Sequence, residues 1–524
     1  MRLHRATRNT SVLRRRLVAV VAGLAAVGVA LSGCLYAQIP PVAPESGASP
    51  SPQTDGIAAD LMPYYSQTLQ WSACGGTGFD CTTVRAPRDW SDPSQGDLTL
   101  ALVRHRATSG QPIGSLLTNP GGPGASGVSI VRDSLSYVAD DRLTSDFDVI
   151  GFDPRGVGES TAVTCYDAKD LDAYLYDIPP GARGSDERNN ALEQRNAAFA
   201  QACQKNSDGI LPYITTENAA RDMDLLRGVL GDAKLNYLGY SYGTFLGATY
   251  AKLFPTRVGR MVLDGGIDPS LPGSEVGAAQ AVGFETSLRT FMGDCLRQST
   301  CPFGGSVDDA MNDLSSLLKR VDNQPLTASD GRRLGADTLL TAIVAALYSE
   351  ESWPYLRSAL TGVADGDADV AFQLADLYNG RSAGRYIDNS TEAFRAYNCM
   401  DYPLEDSDAD QAALQQRLDR EAPVSAPYWL SPDVCKSWPV PPTGTRGPIT
   451  AEGSPPIVVV GTTGDPATPY PWAVALAGQL AQGKLITRVG EGHLGYNKGN
   501  ACVTDAVDAY LVSGTLPAEG LRCS

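Results

Sequence analysis

Gly239-Tyr240-Ser241-Tyr242-Gly243 fits the pattern G-x-S-x-G, and its flanks give that pattern a mechanical meaning. Residues 234–238, Lys-Leu-Asn-Tyr-Leu, read as a short buried strand, and 244–253 read as a helix that stops before Pro255. A sharp strand-to-helix turn holds a serine hydroxyl in an exposed, strained position, and glycines flank it because side chains there would strike neighbouring backbone. Ser241 is therefore the candidate nucleophile.

In a chain with 54 glycines such a pentapeptide can arise by chance, so its partners decide the reading. There are only three histidines. His4 lies in a targeting-like segment, His105 sits between an apolar run and arginines and reads as structural, and His493 lies in Gly490-Glu491-Gly492-His493-Leu494-Gly495. Only His493 follows the serine. An acid lies between them in Gly464-Asp465-Pro466, after the strand-like run 456–460, and the run 484–489 leads into the histidine loop. The order serine, acid, histidine is that of an α/β-hydrolase triad. His493 would take the Ser241 proton and return it to the leaving group, and Asp465 would fix the imidazole tautomer. The oxyanion needs preorganised N–H donors: the backbone amide of Tyr242, next to the nucleophile, and one from the turn Asn119-Pro120-Gly121-Gly122-Pro123-Gly124 after strand 114–118. Gly122 is the candidate there. Activity should rise as His493 loses its proton, near neutral pH.

The segment before residue 34 carries six arginines by Arg16 and then an uncharged apolar run over 17–33. This reads as a bacterial export signal, 1–33, and Leu31-Ser32-Gly33-Cys34 resembles a lipobox, at which Cys34 becomes the lipidated N-terminus. Residues 34–59, rich in Pro, Ser and Ala over 40–56, read as a flexible tether. Of eleven cysteines, removing Cys34 leaves an even number with none of the Cys/His clustering of a zinc site, so disulfides formed after export are expected. Ten cysteines allow on the order of a thousand pairings. Pairing sequence neighbours gives Cys74/Cys81, Cys165/Cys203, Cys295/Cys301, Cys399/Cys435 and Cys502/Cys523. Loss of the six signal arginines takes the formal charge from −17 to −23, which argues against nucleic acid or anionic headgroups as substrates and leaves a lipid as the membrane attachment.

More than two hundred residues separate Ser241 from Asp465, far more than a hydrolase core needs there. The sixth strand reads as 260–263, and 274–297, 311–321 and 337–348 look helical by apolar spacing. The expected architecture is an α/β-hydrolase core, 60–271 plus 446–524, with a largely helical lid, 272–445, inserted between the sixth and seventh strands.

Asn119 to Gly127, Asp153-Pro154-Arg155-Gly156-Val157-Gly158-Glu159-Ser160, Gly239 to Gly243, Thr463 to Pro469 and Gly490 to Gly495 together resemble the secreted tripeptidyl aminopeptidases. These are serine exopeptidases related to prolyl aminopeptidases, and the resemblance runs from Asp80 to the end. It implies peptide substrates cut from a free N-terminus, a lid that limits what fits before the scissile bond, and no metal or organic cofactor. It also implies acids near the lid that read the substrate ammonium, since a buried cation needs a paired carboxylate. Glu285 and Asp401 are the candidates. The histidine usual in prolyl aminopeptidases before Gly-Gly-Pro-Gly is Pro120 here, which disfavours strict proline iminopeptidase activity. The alternative is an esterase acting on envelope lipids or small acyl esters, since the fold does not fix the substrate.

Overall fold

In the computed structural model, residues 51–403, 408–429 and 432–524 are described. The segment expected to be an export signal, Cys34 and the first part of the expected tether lie outside these residues. At Gln53 the chain is already bound, its amide donating to the Gly228 carbonyl at 2.8 Å, and Ile57 packs on the core. Free tether therefore does not extend to residue 59; apolar Ile57 finds a place on the core.

Eight strands build the main sheet: β1 Phe79–Pro87, β2 Asp97–His105, β3 Ser115–Asn119, β4 Asp148–Phe152, β5 Leu235–Tyr240, β6 Val258–Asp264, β7 Ile457–Gly464 and β8 Gly483–Glu491. Their spatial order is β1-β2-β4-β3-β5-β6-β7-β8, with two-residue pieces at Ser72–Ala73 and Arg522–Cys523 on the edges. β1, β2 and β4 pair antiparallel, and from β4 onward every neighbour in the order is parallel. Parallel strands covered on both faces are apolar on both faces. In β7, Val458 and Val460 share one apolar cluster with Val503 and Val507, while Ile457 and Val459 share another with Ala473 and Leu476.

Helices follow the strands: α1 Gly127–Asp133, α2 Thr216–Val229 and α3 Tyr242–Leu253 before β6, and Tyr470–Gln479 and Ala501–Ser513 after β7. β6 and β7 are direct parallel neighbours, yet residues 265–456 lie between them. That segment contains α4 Gly273–Cys295, α5 Val307–Asn323, α6 Ala336–Leu347, α7 Trp353–Asp365, α8 Asp369–Tyr378, α9 Ser390–Asp401 and α10 Asp408–Glu421. Phe291, Leu314, Leu339, Ile343, Leu360 and Phe372 lie in a hydrophobic cluster that also takes in Tyr176 and Ala467. All five cysteine pairs formed by sequence neighbours are bridged. Among the described residues no helix is long and apolar enough to cross a membrane.

Candidate active site

β5 ends at Tyr240 and α3 begins at Tyr242, leaving Ser241 alone to reverse the chain. Its φ of 53° and ψ of −121° are a conformation that side chains rarely adopt, so the turn is strained. Neighbours hold it there: its amide donates to Asp264 O at 2.8 Å and its carbonyl accepts from Thr244 Oγ1 at 2.6 Å. The serine side chain caps no helix amide, so its hydroxyl is not spent on its own helix. Gly239 and Gly243 are required by space: a Cβ on Gly239 would lie 2.5 Å from Gly243 O, and one on Gly243 would lie 2.8 Å from Asn119 O.

His493 and Asp465 stand on the loops after β8 and β7, at the same end of the sheet as Ser241. His493 Nδ1 lies 2.9 Å from Asp465 Oδ2 and 3.0 Å from Oδ1, which assigns the proton to Nδ1 and leaves Nε2 as the free base. Asp465 is itself held: Oδ1 accepts from the Ala467 and Thr468 amides, and Oδ2 from Thr468 Oγ1 and the Leu494 amide. Its side chain is fully buried and the imidazole nearly so. The imidazole ring also stands edge-on to Tyr348, centroids 5.2 Å apart, and the His493 amide donates to Tyr348 O at 2.8 Å.

The Asn119–Gly124 turn presses on the serine elbow. A Cβ on Gly121 would lie 2.6 Å from Tyr240 O and 2.9 Å from Ser241 Cβ. The Gly121 amide is already given to Asn119 Oδ1 at 3.0 Å. Among the described residues no acceptor is found for the Gly122 or the Tyr242 amide, the two proposed oxyanion donors. The Asp153 loop supports this turn from behind: Asp153 Oδ1 accepts from Ser126 Oγ and the Val128 amide at the start of α1.

The two acids expected to read a substrate ammonium are both engaged elsewhere. Glu285 is buried, and its oxygens accept from the Val424 and Ser425 amides and from Ser425 Oγ at 2.8 Å. Asp401 is buried and accepts from the Thr216 amide and Thr216 Oγ1, the latter at 2.6 Å. Burial pushes its carboxyl up to about 6, against the lowering by Thr216. Because Thr216 gives its single hydroxyl proton to Asp401, Tyr242 Oη must donate to Thr216 Oγ1, at 2.5 Å. Asp401 is thus linked to Tyr242 through one hydroxyl. A cavity of about 700 Å³ adjoins the acid loop, bordered by Asp465, Glu491, Trp472, Gly283, Glu275 and Arg417. Among the described residues no group of three or more His, Cys, Asp or Glu side chains could hold a metal ion.

Sequence reading missed Thr216, Tyr348 and Asp264. Only Asp264 left a trace, as the acid ending the sixth strand before two glycines. His105 packs against Phe79, and burial lowers its pKa.

Residues 422–523 match the family model described as TAP-like protein. Serine protease Hip1 of Mycobacterium tuberculosis is 36% identical, the match covering 97% of this chain and 98% of that protein. Carboxylesterase B of the same organism is 39% identical over 94% of this chain and 96% of its own length. A tripeptidyl aminopeptidase of Streptomyces coelicolor is 30% identical over 87% of this chain and 86% of its own length. With a strained serine elbow, a histidine–aspartate pair at the same sheet end and relatives aligned over almost the full length, the chain belongs to the tripeptidyl aminopeptidase family of the α/β-hydrolase fold.

Proposed function

We propose that the protein is an exported serine exopeptidase that releases short peptides, tripeptides among them, from free N-termini through an acyl-enzyme on Ser241. The observation that carries this reading is the His493–Asp465 pair facing the same sheet end as a serine held at φ 53°. Ser241 attacks the scissile carbonyl as His493 Nε2 takes its proton. The imidazolium, oriented by Asp465, then protonates the departing amine, and water repeats the sequence to free the acyl group. The Gly122 and Tyr242 amides receive the oxyanion.

The helices of 272–445 act as the lid. Three contacts support this role: Tyr348 of the α6–α7 connection touches His493, a Cβ on Gly283 of α4 would lie 2.6 Å from Pro466 O, and one on Gly124 would lie 2.8 Å from Ser390 O of α9. Cys34 carries the lipid that anchors the enzyme outside the membrane, an assignment that rests on the sequence alone. The reaction needs no metal or organic cofactor, and the acidic chain disfavours nucleic acid or anionic headgroups as substrates.

Mass spectrometry of one unmodified peptide and its N-acetylated twin tests the substrate class. Successive loss of tripeptides from the free-amine peptide only, absent with Ser241→Ala, supports the exopeptidase. Intact peptides together with rapid Ser241-dependent hydrolysis of a short acyl ester would favour an esterase, as the 39% identical carboxylesterase B is named.

A further inference from the structure

The strand β6 delivers one carboxylate that no step above uses. Asp264 is fully buried beneath the site and touches both halves of the machinery. Its carbonyl accepts the Ser241 amide at 2.8 Å. Its carboxylate accepts the Gly495 amide at 2.9 and 3.0 Å and the Tyr496 amide at 2.8 Å, the first two residues beyond Leu494 in the histidine loop. The next residue, Gly265, donates to Val460 O on β7, and a Cβ there would stand 3.3 Å from His493 Cε1. Gly495 leaves no room for the loop to retreat, since a Cβ on it would lie 2.7 Å from Val460 Cγ1.

We propose that Asp264 is a second, non-triad carboxylate of this active site: a positioning residue that clamps the histidine loop to the serine elbow and places a negative charge beneath the imidazolium. The proposal rests on the triad reading. A carboxylate accepting three amide contacts at 2.8–3.0 Å fixes the loop backbone two residues from the general base. It also differs from a neutral acceptor in a way that can be measured, because a buried charge acts on a neighbouring charge with little screening.

Five ionisable groups act on or around it: His493 and Asp465 from the β8 and β7 loops, Tyr137 from the helix Leu135–Val138, Tyr240 from β5 and Lys498 from the histidine loop. Burial pushes the Asp264 carboxyl up to about 6, against the lowering by the Tyr496 and Gly495 amides and by His493. The competent form needs the Asp264 carboxylate charged, to hold the loop, and the general base unprotonated. The acid limb of kcat/KM should accordingly lose two protons rather than one. Neutralising Asp264 removes a stabiliser of the imidazolium, so the remaining single-proton limb should move to lower pH.

The test measures kcat/KM from pH 4.5 to 9 for wild type, Asp264→Asn and His493→Ala on one short acyl ester and one peptide, with active sites counted by a fluorophosphonate. For Asp264→Asn we expect a plateau kcat about 10- to 100-fold lower, KM within about threefold, and an acid limb of slope one displaced to lower pH. A plateau within twofold of wild type, or a lower plateau with an unchanged acid limb, overturns the proposal. Full activity of His493→Ala would instead sink the triad reading itself. If Asp264→Asn does not fold, hydrogen exchange of residues 492–498 in the wild-type enzyme decides: protection that weakens from pH 7 to pH 5 supports the clamp, and absent or pH-independent protection refutes it.

Discussion

At the scale of single residues, Asp465 shows how much one carboxylate is asked to hold. Besides the imidazole it accepts from the Ala467, Thr468 and Leu494 amides and from Thr468 Oγ1. Asp465→Asn keeps the shape but turns an amide NH₂ toward donors and inverts the imidazole tautomer. Steady-state kinetics should show kcat reduced on the order of 10⁴-fold with little change in KM. Retention of more than a tenth of wild-type kcat would contradict the assignment. Thr216 carries a comparable burden between Tyr242 and Asp401. Thr216→Val removes the hydroxyl between Tyr242 and Asp401, both buried, and leaves each without that partner. Denaturant unfolding should register a loss of about 2–3 kcal/mol. The triad candidates were legible because they lie in short motifs that follow the serine, acid, histidine order of an α/β-hydrolase. The fates of Glu285 and Asp401 were not, because the donors that engage them lie 139 to 185 positions away and only the fold brings them close.

At the scale of elements, the turn between β3 and α1 is the joint on which three parts of the molecule converge. Gly121 faces the serine elbow, Gly124 faces α9, and Asp153 after β4 ties down the start of α1. Gly124 has φ 102°, and a Cβ there would lie 2.8 Å from Ser390 O and 3.0 Å from Ala393 Cβ. Gly124→Ala must therefore push the turn away from α9, and the Gly122 amide moves with it. Kinetics should show kcat lower by about 10- to 100-fold, because a displacement near 1 Å costs that much in a positioned site. α9 is also stapled, by Cys399–Cys435, across 36 positions of sequence. Replacing both cysteines by serine should cost about 3–4 kcal/mol of stability in denaturant unfolding under oxidising conditions. The strands and helices that were read from the sequence lie within a few residues of those observed, because apolar runs and Pro255 mark them. Their ends shifted where tertiary contact extends an element: β5 continues two residues beyond its apolar run to Tyr240, which is buried and hydrogen-bonded to Val138 O.

At the scale of the whole molecule, the distribution of buried acid sets the pH at which the fold is most secure. Burial is the first cause that pushes up Asp232, Asp264 and Asp401, each to about 6, and Glu392 and Asp508, each to about 7. A raised carboxyl binds its proton more tightly folded than unfolded. Between the unfolded value near 4 and the folded value the native state holds the extra proton, so stability falls as pH rises through that window and levels off above about 7. For Asp264 and Asp401, each raised by about two units, the effect is about 3 kcal/mol apiece. The formal charge of −17 acts in the same direction, because self-repulsion grows as carboxyls ionise. Asp172 opposes it: burial raises that carboxyl, yet hydrogen bonds from Arg381 and Tyr386 hold it below the usual range, and their stabilisation is lost as pH falls below about 4. Calorimetry of the purified enzyme should therefore give its highest Tm between about pH 4 and 6, several degrees above the value at pH 8. A Tm that climbs steadily from pH 5 to 8 would show that these acids are not buried as described. Activity follows the opposite slope, since the general base must be neutral. The enzyme should thus work best on the alkaline side of its stability maximum, and a preparation held at pH 5 and assayed at pH 7.5 should outlast one held at pH 8.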